Sequence, residues 1–176
     1  MLIETKRFFL RELQMSDAEG MFALDSDPEV HTYLGNNPIQ TLEEAKKIII
    51  SIQKQYDDFG IGRWAIIDKK THDFVGWTGL KYEQKLREVF NYYDLGYRLR
   101  KEYWGKGIAT ETAEASLAYG FEQLHLSKIC AGADKNNKAS NRILTKLGLQ
   151  KKGTFTYEST VCNWYELTKN EWKKIR

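Results

Sequence analysis

The stretch from Tyr93 to Ala109 constrains this chain more than any other. Its first half alternates, with Tyr93, Leu95, Tyr97 and Leu99 on one face of a strand and Asp94, Gly96, Arg98 and Arg100 on the other. Gly105 and Gly107 follow, and from Ala109 the apolar positions Ala113, Leu117, Phe121 and Leu124 keep helical spacing. A strand, a Gly-rich turn and a helix are therefore predicted in direct succession. Such a turn leaves the first backbone N–H groups of the helix without internal partners and aims the positive end of its dipole outward. Glycine lets the chain curve and keeps a Cβ out of a ligand's way. The unit is a phosphate site in outline. The same pattern alone also suits a plain strand-to-helix connection.

A chain of 176 residues matches one domain, 1–176, with a substantial core. Hydrophobic residues at 41% and charged residues at 29% exclude a disordered chain. Its 27 basic and 24 acidic residues leave a net charge of +3, a mixed surface that argues against a dedicated nucleic-acid binder. Cys130 and Cys162 fall in apolar strand-like runs without metal-ligand spacing, and read as buried thiols of a reducing compartment rather than as a disulfide. The N-terminal MLIETKRFFL lacks the pattern of a secretory signal, and no apolar run approaches the ~20 residues of a membrane span. A soluble cytoplasmic protein with no membrane partner and no metal is expected.

Along the chain, Lys6 to Leu13 reads as a first strand. Ser16 caps a short helix to Ala23, with Glu19 completing a capping box. Asp27-Pro28-Glu29 starts a helical turn that ends near Gly35, and Thr41 with Glu44 opens a helix to about Phe59. Strands follow at Arg63–Ile67, Phe74–Tyr82 and Tyr92–Arg100, then the helix to about Leu124. Lys128 to Ala133 is a short buried strand, and a right-handed crossover makes it parallel to the Tyr92 strand. Asn137 begins another helix that Gly148 ends, and strands at Gln150–Tyr157 and Val161–Leu167 precede a short polar end. The fold class is α/β (α+β), a mixed and mostly antiparallel sheet with one parallel pair, flanked by helices. A dinucleotide-binding fold is excluded because the first strand-to-helix turn has no Gly-rich fingerprint.

WGKGIATE (Trp104 to Glu111) and, further on, NKASNRILTKLGL (Asn137 to Leu149) together resemble the GNAT acetyltransferases. RFFLREL near the start, DPEVHTYLG from Asp27 and DLGYRL from Asp94 extend the likeness over nearly the whole chain, within the branch of the RimJ/RimL ribosomal-protein N-acetyltransferases. The resemblance implies an acetyl-CoA co-substrate. Its pyrophosphate lies on the N–H groups of Gly105, Lys106, Gly107, Ile108, Ala109 and Thr110, and its pantetheine on the splayed strand edge Tyr97, Arg98, Leu99 and Arg100. Asn137 reaches the pantetheine, Ser140 the thioester sulfur, and Lys146 completes the motif, with Arg142 and Lys138 toward the adenosine-side phosphates. Glu102 stands where the family has Gln or Arg, and Leu144 where many relatives carry a tyrosine acid. Ser140 is therefore the candidate partner of the leaving sulfur.

Asn137 and Ser140 equally suit plain helix capping. Asp94 is a candidate base or a solvated strand carboxylate, and Glu83 is a second, weaker candidate. His31, His72 and His125 are scattered and read as surface or satisfied histidines. The expected activity is acetyl transfer from acetyl-CoA to a primary amine by direct attack, with a ribosomal or other protein N-terminus as acceptor. A small-molecule amine (a polyamine, an amino acid or an aminoglycoside) and a silent acetyl-CoA sensor are the alternatives. A homodimer is left open.

Overall fold

The computed structural model describes residues 2–84, 86 and 90–176. Its strands are β1 (Leu2–Glu4), β2 (Phe8–Glu12), β3 (Arg63–Asp68), β4 (Phe74–Glu83), β5 (Tyr92–Leu99), β6 (Lys128–Asp134), β7 (Gln150–Tyr157) and β8 (Thr160–Thr168). They form one sheet in the order β1-β2-β3-β4-β5-β6-β8-β7. All neighbours are antiparallel except β5 and β6. The parallel pair follows from its connection, since α3 (Ile108–Ala118) carries the chain back across one face.

β5 stays with β4 from Glu83 opposite Tyr92 to Gly76 opposite Leu99, while β6 stays with β8 from Lys128 opposite Thr168 to Asp134 opposite Cys162. Between them the ladder holds at Asp94 opposite Cys130 and no other pair forms among the described residues. The sheet thus opens as a V whose crotch is Asp94.

Both faces are covered. On one, Trp64, Ile66, Leu80, Leu95 and Leu99 pack against α3 and α4 (Lys138–Lys146) through Ala113, Leu117, Leu144 and Leu147. On the other, Ala65, Ile67 and Phe74 pack against α1 (Ala18–Asp25) and α2 (Leu42–Phe59) through Met21, Leu24, Ala45 and Ile49. Each such leucine or isoleucine contributes ~1.5–3 kcal/mol by leaving water. The predicted α2 cap is present: Thr41 Oγ1 accepts from Glu44 N at 3.3 Å, and Glu44 Oε2 accepts from Thr41 N at 2.8 Å. Gly60 ends that helix in the left-handed conformation, φ 66°.

Several boundaries differ from the sequence reading. The strand expected over Lys6 to Leu13 is β2, and β1 precedes it in a hairpin, with Leu2 opposite Arg11. The Ser16–Glu19 capping box is replaced by Asp17, whose Oδ2 accepts from Gln14 N at 2.8 Å while Arg11 holds the same carboxylate. A buried carboxylate with an arginine partner outcompetes an exposed serine for that role. Asp27 to Gly35 forms successive turns and no helix; His31 N reaches Asp27 O at only 3.4 Å. The long helix leaves α geometry after Ala118 and closes in a π turn, Tyr119–Gln123, where a Cβ on Gly120 would stand 2.7 Å from Ile129 and Leu80. The short polar end forms a helix, α5 (Lys169–Lys174), which is capped by Thr168 and Glu171 and buries Trp172. Among the described residues no helix is long and apolar enough to cross a membrane.

Candidate active site

The Gly-rich turn leaves β5 through Lys101–Tyr103, and α3 begins at Ile108. Gly105 and Gly107 have φ of 71° and 72°, a left-handed conformation that suits glycine. Gly107 is the N-cap, with no side chain capping the helix, and Glu111 N returns to Gly107 O at 3.1 Å. The amides of Ile108, Ala109 and Thr110 precede that first helical bond and have no partner within the helix. Arg7 braces the loop: its Nη1 donates to Lys106 O at 2.9 Å, and its Nε pairs with Glu111 Oε2 at 2.7 Å. Neither Arg7 nor Glu111 was a predicted site residue, because nothing in sequence spacing links positions so far apart.

The β5 arm of the V supplies a backbone edge. Arg100 N donates to Val75 O at 3.0 Å, so the alternate residues Leu99 and Tyr97 turn their amides away from β4, toward the gap. Trp104 Nε1 holds Leu99 O at 2.9 Å. The side chains of Arg98 and Arg100 are held by protein partners, so what these two residues offer a cofactor is the strand edge. Arg98 Nη1 reaches Asp25 Oδ1 at 2.6 Å on the α1 face, above Trp77. Arg100 pairs with Glu102 at 2.6 Å and donates to Phe74 O at 3.0 Å. Lys106, Arg142, Lys138 and Lys146 stay exposed.

Across the gap, Asn137 caps α4, its Oδ1 accepting from Ser140 N at 3.1 Å. Asn141 fastens this end to the sheet. Its Nδ2 donates to Asp134 O at 2.9 Å and Asn137 O at 2.7 Å, while its Oδ1 accepts from Asn163 Nδ2 and Tyr165 Oη, both at 2.7 Å. All the polar capacity of the amide group is used. Ser140 Oγ lies 3.0 Å from Tyr97 Oη.

Asp94 sits at the crotch on the opposite face from Tyr97, as strand alternation demands. Arg63 Nη2 holds its Oδ2 in an ion pair, and Arg63 Nη1 donates to Asp94 O at 2.7 Å and Gly79 O at 2.6 Å. Burial raises the Asp94 carboxyl above its ordinary value, against the pull of Arg63. Glu83 pairs with Lys81 at 2.9 Å on the same face. Ser140 and Asp94 therefore flank the gap from its two sides.

A family model described as an acetyltransferase (GNAT) domain matches residues 7–150. The chain belongs to the GNAT acetyltransferases. It is an acyltransferase. An uncharacterised N-acetyltransferase, YoaA of Bacillus subtilis, is 35% identical over 153 residues, 86% of this chain and 84% of the relative. The spermidine N(1)-acetyltransferase of Escherichia coli K12 is 27% identical, over 89% of this chain and 80% of the relative. A ribosomal-protein-S5-alanine acetyltransferase from Vibrio fischeri shares the fold, with a TM-score of 0.78, 19% identity and 98% of each chain covered.

Two departures from the GNAT pattern now have physical explanations. Glu102 serves its neighbour Arg100, leaving the loop amides untouched. Leu144 is 1% exposed and part of the core under α4, so no phenol enters the gap from that position.

Proposed function

We propose that this GNAT enzyme transfers the acetyl group of acetyl-CoA to the α-amine of a peptide or protein N-terminus. The pyrophosphate rests on the amides from Gly105 to Thr110, where the helix dipole favours anions. The pantetheine lies along Tyr97 to Arg100 and passes Asn137, with several bonds of ~1 kcal/mol each acting together. Arg142, Lys138 and Lys146 stay outside, toward the nucleotide phosphates.

The neutral amine enters from the α1–α2 face, beside the Asp27 to Gly35 segment. Its nitrogen attacks the thioester carbon, backbone N–H groups of the β5 arm stabilise the oxyanion, and the C–S bond breaks with its electron pair on sulfur. Ser140 donates a hydrogen bond to that sulfur. Asp94, directly or through a water, receives the proton that the attacking amine sheds. Metal and covalent enzyme intermediates have no part.

The observation that carries the acceptor class is the charge pairing on the acceptor face. Asp94 is bound to Arg63 and Asp25 to Arg98, and both guanidiniums stack on Trp77, 5.3 Å and 5.1 Å from its ring centre. A polyamine with several positive charges needs uncompensated carboxylates; these two are already compensated. A single neutral α-amine does not. At pH 7.5 roughly a third of an α-amine of pKa ~7.8 is neutral, against about a thousandth of a lysine amine at ~10.4.

A peptide carrying one free α-amine and one lysine separates these acceptors. Mass spectrometry is expected to find the acetyl group on the α-amine, with kcat/KM rising from pH 7 to 8.5. Asp94 accepts a proton only as a carboxylate, the form present above its raised pKa and lost as pH falls through it. Asp94→Asn is therefore expected to depress the profile at its upper, carboxylate-dependent limb and flatten its dependence on that group. Acetylated lysine, or turnover with spermidine but with no peptide, overturns the acceptor assignment. Acetyl-CoA binding without thiol release in the presence of any amine would mark a sensor and not this enzyme.

A further inference from the structure

We propose that Tyr97 is a positioning residue that aims the Ser140 hydroxyl at the thioester sulfur. The proposal rests on Ser140 being the partner of the leaving sulfur, as argued above.

Tyr97 stands on the β5 arm beyond the crotch, half-buried against the core under α3 and α4. Its Oη lies 3.0 Å from Ser140 Oγ and 3.3 Å from Ser140 O, bridging the V from one arm to the helix at the other. Tyr165, the neighbouring phenol, is committed to Asn141 at 2.7 Å. Leu144 fills the position from which many GNAT enzymes extend a tyrosine, and it is buried in the core. Tyr97 reaches Ser140 from a different strand.

A serine hydroxyl has one proton, two lone pairs and a soft rotor. Near a helix terminus that proton readily turns to a backbone carbonyl, and then nothing is left to donate to sulfur. A phenol that donates to Ser140 Oγ occupies one lone pair and leaves the serine proton for the ligand. The reverse direction would present an oxygen lone pair to a sulfur gaining negative charge. Burial pushes the Tyr97 phenol up to about 12, so it remains a donor throughout the neutral range. The chain from Tyr97 through Ser140 to sulfur is polarised in one direction, which strengthens both links.

No proton leaves Tyr97. A thiolate whose acid has a pKa near ~8.5 is too weak a base to deprotonate a phenol at the value above. The C–N bond forms, the C–S bond breaks, sulfur keeps the pair and takes its proton from solvent, and the proton shed by the amine leaves through the base.

The test is a double-mutant cycle read in kcat and in KM for acetyl-CoA, on proteins whose melting temperatures are recorded alongside. Tyr97→Phe is expected to lower kcat about tenfold with KM changed less than about twofold, and Ser140→Ala to lower kcat about tenfold. Because both act on one hydrogen bond, the double variant is expected to lose about tenfold as well. A loss that multiplies to about a hundredfold overturns the proposal, as does wild-type kcat in Tyr97→Phe. Wild-type kcat in Ser140→Ala overturns the sulfur role of Ser140 itself. Should Tyr97→Phe melt far lower than wild type, Ser140→Thr decides: it keeps the hydroxyl, and activity well above Ser140→Ala that Tyr97→Phe then removes supports the aimed donor, whereas indifference to Tyr97 overturns it.

Discussion

Gly107→Asp is expected to lower acetyl-CoA affinity by about a hundredfold or more while the protein stays folded. Gly107 has a φ of +72°, and a Cβ there meets only Arg7 Nη2, at 3.8 Å. Aspartate tolerates the left-handed region better than most residues, so the strain is about 1–2 kcal/mol at most. The carboxylate, however, lands at the N-terminus of α3, where the proposed site holds two phosphate charges. Two unit charges ~4 Å apart repel by ~4 kcal/mol at an effective dielectric constant of ~20. Arg7 relieves part of this repulsion, which holds the expected loss near a hundredfold. Calorimetric titration of the variant, with circular dichroism as the check on folding, gives the answer. Unchanged affinity would remove the loop from the cofactor site.

The second large effect is on stability. A Cβ on Gly76 would stand 2.1 Å from Arg98 O and 2.9 Å from Leu99 Cα, both backbone atoms of the β5 arm. Neither can rotate aside. Gly76→Ala must push β5 toward the gap or break its pairing with β4, at an expected loss of ~3–5 kcal/mol. For a chain of this size that is ~10 °C in melting temperature. The molecule that remains folded should also bind acetyl-CoA less well, because the displaced arm carries the Tyr97 and Leu99 amides. Gly153→Ala is the control, since nothing lies within 4 Å of its Cβ and the melting point should hold. Equal melting temperatures for the two variants would mean that β4 does not fix the arm.

Much of this architecture could be read in the chain because its signals are local. Alternation in Tyr93 to Leu99, glycines at 105 and 107, and the helical spacing after Ala109 each depend on residues a few positions apart. Together they gave β5, the turn, α3 and the parallel β6. The Thr41–Glu44 box is similarly short-ranged. What escaped depended on distant partners. The sequence places Arg98 and Arg100 on the strand edge beside the loop, and says nothing of where their side chains go. Only the fold brings Asp25 to the first and sets Phe74 O and Glu102 around the second. Arg7, Asn141 and Arg63 are ordinary residues in sequence, and act through Glu111, through Tyr165 and Asn163, and through Asp94. The side chain of Tyr97 looked like half of an alternating pattern until α4 placed Ser140 against its hydroxyl.

In the proposed complex acetyl-CoA lies in the gap between β5 and β6, with its phosphates on the turn and its sulfur at Ser140. A crystal structure of the complex with coenzyme A tests it most directly. Pyrophosphate oxygens are expected within hydrogen-bonding distance of amides between Gly105 and Thr110, pantetheine beside Tyr97 to Leu99, and the thiol facing Ser140 Oγ. Coenzyme A bound on another surface, or lying in the gap with its sulfur turned away from Ser140, would contradict it.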